Sequence, residues 1–209
     1  MNKLQFYTAR TLRDEGTIAS LSVSQADLLA SLQGKSVALV GNARALSQTD
    51  HGADIDAADV VIRINRAPRP DARSHGTRTD WLALAVRLSD EDLDQIAPDR
   101  ILWMSPKRKR LRYRIATGDG FYLHPLSEYE ALKDRLAAPP TTGAMMIDLL
   151  LQSDLSKLTL YGFDFFASQS LSGSRTAAQV PHDFSAEASW VQDVQRSDPR
   201  LSVIRPAAT

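Results

Sequence analysis

SVALVGNARALSQTDHGADIDAADVVIRINRAP, residues 36–68, contains two short apolar runs, SVALV and VVIRI, each ended by residues that do not continue a strand. Gly41-Asn42 stops the first and Asn65-Arg66-Ala67-Pro68 stops the second. Short β-branched runs bounded by Gly, Asn and Pro read as buried strands. Both asparagines therefore fall at strand ends. In an open α/β sheet the ligand crevice lies outside the carboxyl ends of the strands, so Asn42 and Asn65 stand where binding residues stand. Asparagine offers both donors and acceptors, and Gly41 permits a tight turn with close approach of a ligand. Taken singly, each of these residues is equally at home as an ordinary turn residue.

Outward from this stretch, strand and helix signals alternate. A helix around Ser24 to Gln33 precedes SVALV. After VVIRI come DWLALA, a polar helix over Asp90 to Ile96, RILWM, a basic segment, FYLH and a helix over Glu128 to Leu136. Then follow an apolar helix after Thr142, the strand LTLYGF, a loop, a helix from about Phe184 to Gln195 and a last strand, LSVIR. Such alternation predicts an α/β fold with a mostly parallel sheet covered by helices on both faces. With 209 residues, 43% of them hydrophobic, the chain suits a single domain, residues 1–33 forming an N-terminal helical extension. Residues 166–180, rich in Ser, Gly and Ala, read as a mobile loop, which either orders over a bound ligand or is a plain connection.

Lys plus Arg equals Asp plus Glu at 25 each, so no overall basic field argues for nucleic acid. No apolar run approaches membrane-spanning length, and MNKLQFYTARTLRDEG lacks the apolar core of a signal peptide. A soluble cytoplasmic protein is expected. The absence of cysteine fits a reducing compartment and leaves neither zinc clusters nor thiol chemistry. One local excess stands out: Lys107-Arg108-Lys109-Arg110, continued by Arg112 and Arg114. It is either a solvated helix face or a surface that meets an anionic membrane, lipopolysaccharide or a phosphorylated glycolipid, each near-surface cation contributing about 1 kcal/mol, with nuclear or nucleic-acid targeting as a third reading.

Two segments carry chemistry. Pro139-Pro140-Thr141-Thr142-Gly143 opens the apolar helix AMMIDLLLQS, and a helix starting there points free backbone N–H groups and its positive dipole end at an anion. The threonine hydroxyls serve as caps or as ligands, and the two roles are compatible. His182 follows Pro181 and precedes Asp183, a credible N-cap, so its imidazole stands at the very start of the C-terminal helix. A neutral imidazole there can take a hydroxyl proton, an aid worth about 10²- to 10⁴-fold. Glu187, in the first turn, either orients that ring or complements the dipole. Asp54-Ile55-Asp56 has the D-x-D form of a divalent-metal site. Gly34-Lys35-Ser36 precedes a strand instead of following one, so it is no P-loop, and no G-x-S-x-G elbow exists.

In their order along the chain, these segments resemble the animal-type sialyltransferases. The long motif of that family is matched by Val40-Gly41-Asn42, by Ile55-Asp56 through Asp59, and by Arg63-x-Asn65-Arg66-Ala67-Pro68. Gly76-Thr77-Arg78-Thr79-Asp80 looks like the G-[ST]-[KR]-T that follows it. The small motif is matched by Pro140-Thr141-Thr142-Gly143 with Tyr161-Gly162-Phe163, and the very short one by His182 and Glu187. The resemblance implies a Rossmann-like domain, a GT-A-like variant, that transfers an acidic sugar from a CMP-sugar to a hydroxyl of a glycan or glycolipid with inversion. No metal or other cofactor is implied, because Asp54 and Asp56 fall within the long motif. It implies a donor site drawn from Gly41, Asn42, Asn65, Arg66, Thr141, Thr142, Gly143 and Tyr161, with His182 as general base and Glu187 beside it. Sialic acid is the default sugar and an octulosonic acid is nearly as well suited. His51, His75 and His124 match no family position, and His124, at a strand end, is a reserve candidate. The chain departs from the family in having no cysteine for the usual disulfide, Ala43 where Ser or Gly is common, and no copy of the third motif before His182. Those departures leave open a nucleotide-binding module of the same fold without activity, or an α/β enzyme of unrelated chemistry.

Overall fold

The computed structural model describes residues 1–164 and 181–204; the segment 166–180, expected to be a mobile loop, lies outside the described residues. The strands are β1 (Ser36–Val40), β2 (Val60–Ile64), β3 (Trp81–Leu84), β4 (Arg100–Trp103), β5 (Tyr122–Leu123), β6 (Lys157–Tyr161) and β7 (Leu201–Val203). Among the described residues they form one sheet in the order β5-β4-β3-β2-β1-β6-β7, and every ladder is parallel. The chain steps outward from β1 to β5, then returns to the other side of β1 for β6 and β7. The order thus reverses between β1 and β6, where Val40 is level with Tyr161 and, on the other side, with Arg63.

Strands buried on both faces must be apolar at consecutive positions, and these are. Val37, Leu39, Val60, Ile62, Leu102, Leu158 and Leu160 point to one face. That face is covered by α3 (Gln25–Ala30), α8 (Leu126–Leu136), α9 (Thr142–Leu151) and α10 (Phe184–Ser197). Helix α9 lies deep in this layer: all of Thr142 to Ile147, with Leu149 and Leu150, is buried. Its sequence is accordingly apolar all round rather than striped. The alternate residues Ala38, Val40 and Val61 pack on Leu46 and Ile55, from the 3-10 turn Arg44–Gln48 and from α4 (Gly52–Asp56). Leu82, Leu84, Trp103 and Leu123 pack on α1 (Lys3–Leu12), α2 (Glu15–Ala19), α6 (Asp90–Ile96) and α7 (Tyr113–Ala116). Residues 3–19 are thus part of this layer, whereas α3 lies on the opposite face. Helix α1 starts with a capping box between Asn2 and Gln5, and its Phe6 is fully buried.

The charged residues of the long motif are held by residues 75–79 and by Ser36. Arg63, 1% exposed, donates to the Arg78 carbonyl (2.8 Å), the Thr79 hydroxyl (3.1 Å) and the His75 carbonyl (2.6 Å). The Asp56 carboxylate accepts from the N–H of Thr77 and of Arg78 and from the Thr77 hydroxyl. Arg78 in turn donates to the Asp56 and Ala58 carbonyls and to the Asp80 carboxylate, while Asp59 accepts from Ser36. Residues 76–80, two turns of chain away, therefore complete the support of β2.

The basic segment departs from expectation. Arg108 is buried, not part of an exposed row: it donates to the Glu15 carboxylate (2.6 and 2.9 Å) and to the Ser105 and His124 carbonyls. A guanidinium has five donors in a fixed fork, and burial is tolerable when most are satisfied. Arg112 and Arg114 pair with Asp90 and Asp94. Lys107 and Lys109 remain exposed, on a 3-10 turn over Arg108–Arg110.

Candidate functional site

The carboxyl ends of β1 and β6 meet through two glycines. Gly41 donates to the Tyr161 carbonyl (2.7 Å), Ala43 donates to the Gly162 carbonyl (3.2 Å), and Gly162 has φ +68°. A Cβ on Gly41 would lie 2.4 Å from the Gly162 oxygen, so no larger residue fits. The glycines of V-G-N and Y-G-F are thus needed for the same close approach.

Asn42 follows this contact, nearly buried, with its amide donating to the Ile64 carbonyl (3.3 Å) at the end of β2. Asn65, one residue further along β2, has φ +55°, a left-handed conformation that asparagine tolerates better than most residues. Its side-chain oxygen accepts from Ala85 N–H (3.0 Å), past β3, and its amide nitrogen lies 3.4 Å from the Thr142 hydroxyl. One asparagine side chain therefore ties the ends of β2 and β3 to the first turn of α9. A non-glycine residue held in this conformation at the carboxyl edge of the sheet is a feature that clusters at functional sites.

The first turn of α9 is organised from three sides. Thr141 is its N-cap, with Oγ1 accepting from Ala144 N–H (3.1 Å). Gly143 lies against Phe163, where a Cβ would come within 2.6 Å of Cε1, so its smallness serves packing against the chain leaving β6. The third contact is Glu187. Its carboxylate accepts from the Thr141 N–H (2.7 Å) and from the Thr141 hydroxyl (2.8 Å) across 46 residues. Glu187 is 4% exposed, and burial pushes its carboxyl up to about 7, against the pull of the two Thr141 donors. It clasps the N-termini of α9 and α10 together. Glu187, read from the sequence as either orienting His182 or complementing the dipole, has both of its described hydrogen-bond partners on Thr141.

His182 is oriented by a main-chain group instead. Its Nδ1 lies 2.7 Å from the Pro139 carbonyl oxygen. A carbonyl can only accept, so Nδ1 carries a proton, and in the neutral ring the lone pair is on Nε2. The ring is half-buried, with the Phe184 ring centroid 6.0 Å away. Asp183 caps α10 through Ser185 and Ala186 N–H, as expected from the sequence. Contacts thus link the candidate residues in a continuous series: Asn42 to β2, Asn65 to Thr142, Thr141 to Glu187, and Pro139 to His182.

Two expected members stand apart. Tyr161 is 6% exposed and packs in the core beneath the sheet with Val40, Leu46 and Ile55, its ring 5.7 Å from that of His51. Position 161 lies within β6 and alternation turns its side chain away from α9, into the packing on the other face of the sheet. Arg66 is exposed and lines a separate cavity of about 310 Å³ with Arg69, Leu88, Asp92, Gln95 and Ile96. Of the reserve candidates, His124 is buried with neither ring nitrogen hydrogen-bonded among the described residues, and burial pushes it down to about 4, which marks a neutral core histidine. Asp54 and Asp56 make no metal pair, since the Asp56 carboxylate is occupied by residues 77 and 78. Among the described residues no group of three or more His, Asp or Glu side chains could hold a metal ion.

The carboxyl edge of this doubly covered parallel sheet thus gathers Asn42 at the end of β1, Asn65 at the end of β2, the N-terminus of α9 and, across the Pro139 carbonyl, His182, the arrangement of a candidate binding site in an open α/β fold. Residues 4–90 match the model of glycosyltransferase family 29 (sialyltransferase). A mammalian sialyltransferase solved with Gal-beta-1-3GalNAc-ortho-nitrophenol superposes with a TM-score of 0.59 at 18% identity, over 82% of this chain and 69% of that one. The sialyltransferase CstII from Campylobacter jejuni, in complex with the substrate analogue CMP-3FNeuAc, superposes with a TM-score of 0.57 at 12% identity over 83% of each chain. CST-II with a trisaccharide acceptor and CMP gives 0.56 at 15% identity, over 83% of this chain and 82% of that one. No curated protein sequence matches. The family model matches residues 4–90, less than half of the chain, and the solved sialyltransferases, at 12 to 18% identity, show that this chain shares their fold.

Proposed function

We propose that this chain transfers an acidic sugar, sialic or octulosonic acid, from its CMP-activated form to a hydroxyl of a glycan or glycolipid by a single inverting displacement. Asn42, at the sheet's point of reversal, and Asn65, at the end of the neighbouring β2, take the cytidylate, and the start of α9 faces the donor phosphate or carboxylate. The acceptor hydroxyl gives its proton to His182 Nε2 as its oxygen bonds to the anomeric carbon. The bond from that carbon to the phosphate oxygen breaks, and CMP leaves with the electron pair. One displacement inverts the configuration, and the proton goes to histidine without a metal.

The observation that carries this reading is the Nδ1 contact to the Pro139 carbonyl, which leaves Nε2 as the basic nitrogen. The test is release of CMP from CMP-sialic acid and CMP-octulosonic acid, with water standing in for the acceptor. Wild type is expected to release CMP in the presence of a chelator. His182→Ala is expected to lose about 10²- to 10⁴-fold in rate while still binding CMP. Full activity in that variant would remove His182 as the base, and no release from any CMP-sugar, with CMP still bound, would leave a binding module.

A further inference from the structure

We infer that the outward face of α1, together with the turn 107–110, docks the protein on an anionic lipid bilayer. Large hydrophobic side chains exposed among the described residues are few: Met1 (40%), Leu4 (77%), Leu12 (74%) and Leu126 (37%). Three of the four lie on one twelve-residue segment. Scattered exposed leucines need no explanation, but this grouping does. On the helical repeat Leu4, Thr8 and Leu12 follow at i, i+4 and i+8, opposite Phe6 and Ala9, which are buried against the sheet. The face is therefore turned away from the domain, and its two leucines stand about 12 Å apart along the helix.

Charge complementarity identifies the occupant. Lys3 and Arg13 flank the leucines at the two ends of α1, and both are exposed. The basic turn runs along the same helix: Arg10 donates to the Leu111 carbonyl (2.8 Å), and the Tyr113 hydroxyl to the Met1 carbonyl (3.0 Å). Burial of Arg108 against Glu15 anchors this turn and leaves Lys107 and Lys109 in solvent. The acidic groups next to α1 are engaged, Glu15 by Arg108 and Asp14 by the N–H and hydroxyl of Thr17. Exposed leucines with flanking cations are the composition of a helix lying in a bilayer interface, and Asp14, hydrogen-bonded to Thr17 but not ion-paired, is outnumbered by Lys3, Arg13, Lys107 and Lys109. A groove for a protein partner would instead enclose the leucines, and here they protrude.

The test is co-sedimentation of the full chain with vesicles of phosphatidylglycerol and phosphatidylethanolamine, against vesicles of phosphatidylcholine alone. Binding is expected to the anionic vesicles, to weaken with added salt, and to fall at least tenfold in Leu4→Ser/Leu12→Ser and in Lys107→Glu/Lys109→Glu. All four side chains are exposed, so both variants should unfold at the wild-type temperature and release CMP at the wild-type rate in free solution. Absence of vesicle binding, equal binding to neutral vesicles, or wild-type binding by both variants would overturn the proposal. So would light scattering that shows a dimer lost in Leu4→Ser/Leu12→Ser with vesicle binding unchanged.

Discussion

Glu187→Gln tests the clasp between α9 and α10 through its pH dependence. Glutamine keeps the volume of the buried side chain, can accept from the Thr141 N–H and can donate to the Thr141 hydroxyl oxygen, so it imitates the protonated carboxyl. Burial raises the wild-type carboxyl from its ordinary 4.5 to about 7. A group raised on folding contributes its stability in full below the unfolded value and loses it as pH rises through the folded one. Between pH 4.5 and about 8, wild type should therefore lose stability relative to Glu187→Gln. At 1.36 kcal/mol per pH unit, the interval from 4.5 to about 7 corresponds to about 3 kcal/mol. Urea denaturation of both proteins at several pH values reads this difference, which amounts to a relative shift of about 1 to 1.5 M in midpoint. A difference between the two proteins that stays constant from pH 4.5 to 8 would refute the argument that desolvation outweighs the two Thr141 hydrogen bonds. A difference of opposite sign would show that those bonds win.

Gly143→Ala should destabilise by about 1 to 3 kcal/mol, because its Cβ would meet Phe163 at 2.6 Å. Phe163→Leu should recover part of that loss in a double-mutant cycle followed by thermal melting, and simple additivity would show that the two do not share the contact. Ala137, the exposed C-cap of α8 with φ +53°, should accept glycine with a gain of about 1 kcal/mol, seen as a higher melting temperature. No change there would mean that the left-handed cap carries no strain. Arg108→Met should cost about 3 to 5 kcal/mol in urea melts by leaving Glu15 and the Ser105 and His124 carbonyls without their donor. A neutral effect would show that the buried ion pair is dispensable.

The sheet was legible because its evidence is local. SVALV and VVIRI are each apolar at consecutive positions and stopped by Gly or Asn, and they became β1 and β2 over the same residues. Helices α6 and α10 begin where Ser89 and Asp183 offer N-caps, and Thr141 caps α9. The short helices α4, α5 (Ala72–His75) and α7 were not legible, since four or five residues do not set a helical period and their stability comes from packing. Within the expected N-terminal helical extension the separate helices α1 and α2 were not legible, because only Phe6, Ala9 and Ile18 of residues 3–19 are buried, a sparse pattern in a polar sequence. In the site, asparagines at strand ends were readable from position alone. The partners of Glu187 and His182 were not: one is Thr141, 46 residues distant, and the other is a main-chain carbonyl, which has no identity in a sequence. Arg108 shows the same limit, since nothing in a run of four cations tells which one faces Glu15, 93 residues earlier.

The account depends on one cleft for cytidylate at the reversal between β1 and β6, and thermal unfolding in the presence of nucleotides tests it most directly. CMP at about a hundredfold excess over its dissociation constant should stabilise the protein by about 2.7 kcal/mol, and UDP, NAD and S-adenosylmethionine should not. The shift should be lost in Asn65→Ala, which cuts the tie from β2 and β3 to α9. Stabilisation by UDP or NAD equal to that by CMP, or a CMP shift that survives Asn65→Ala undiminished, would contradict it.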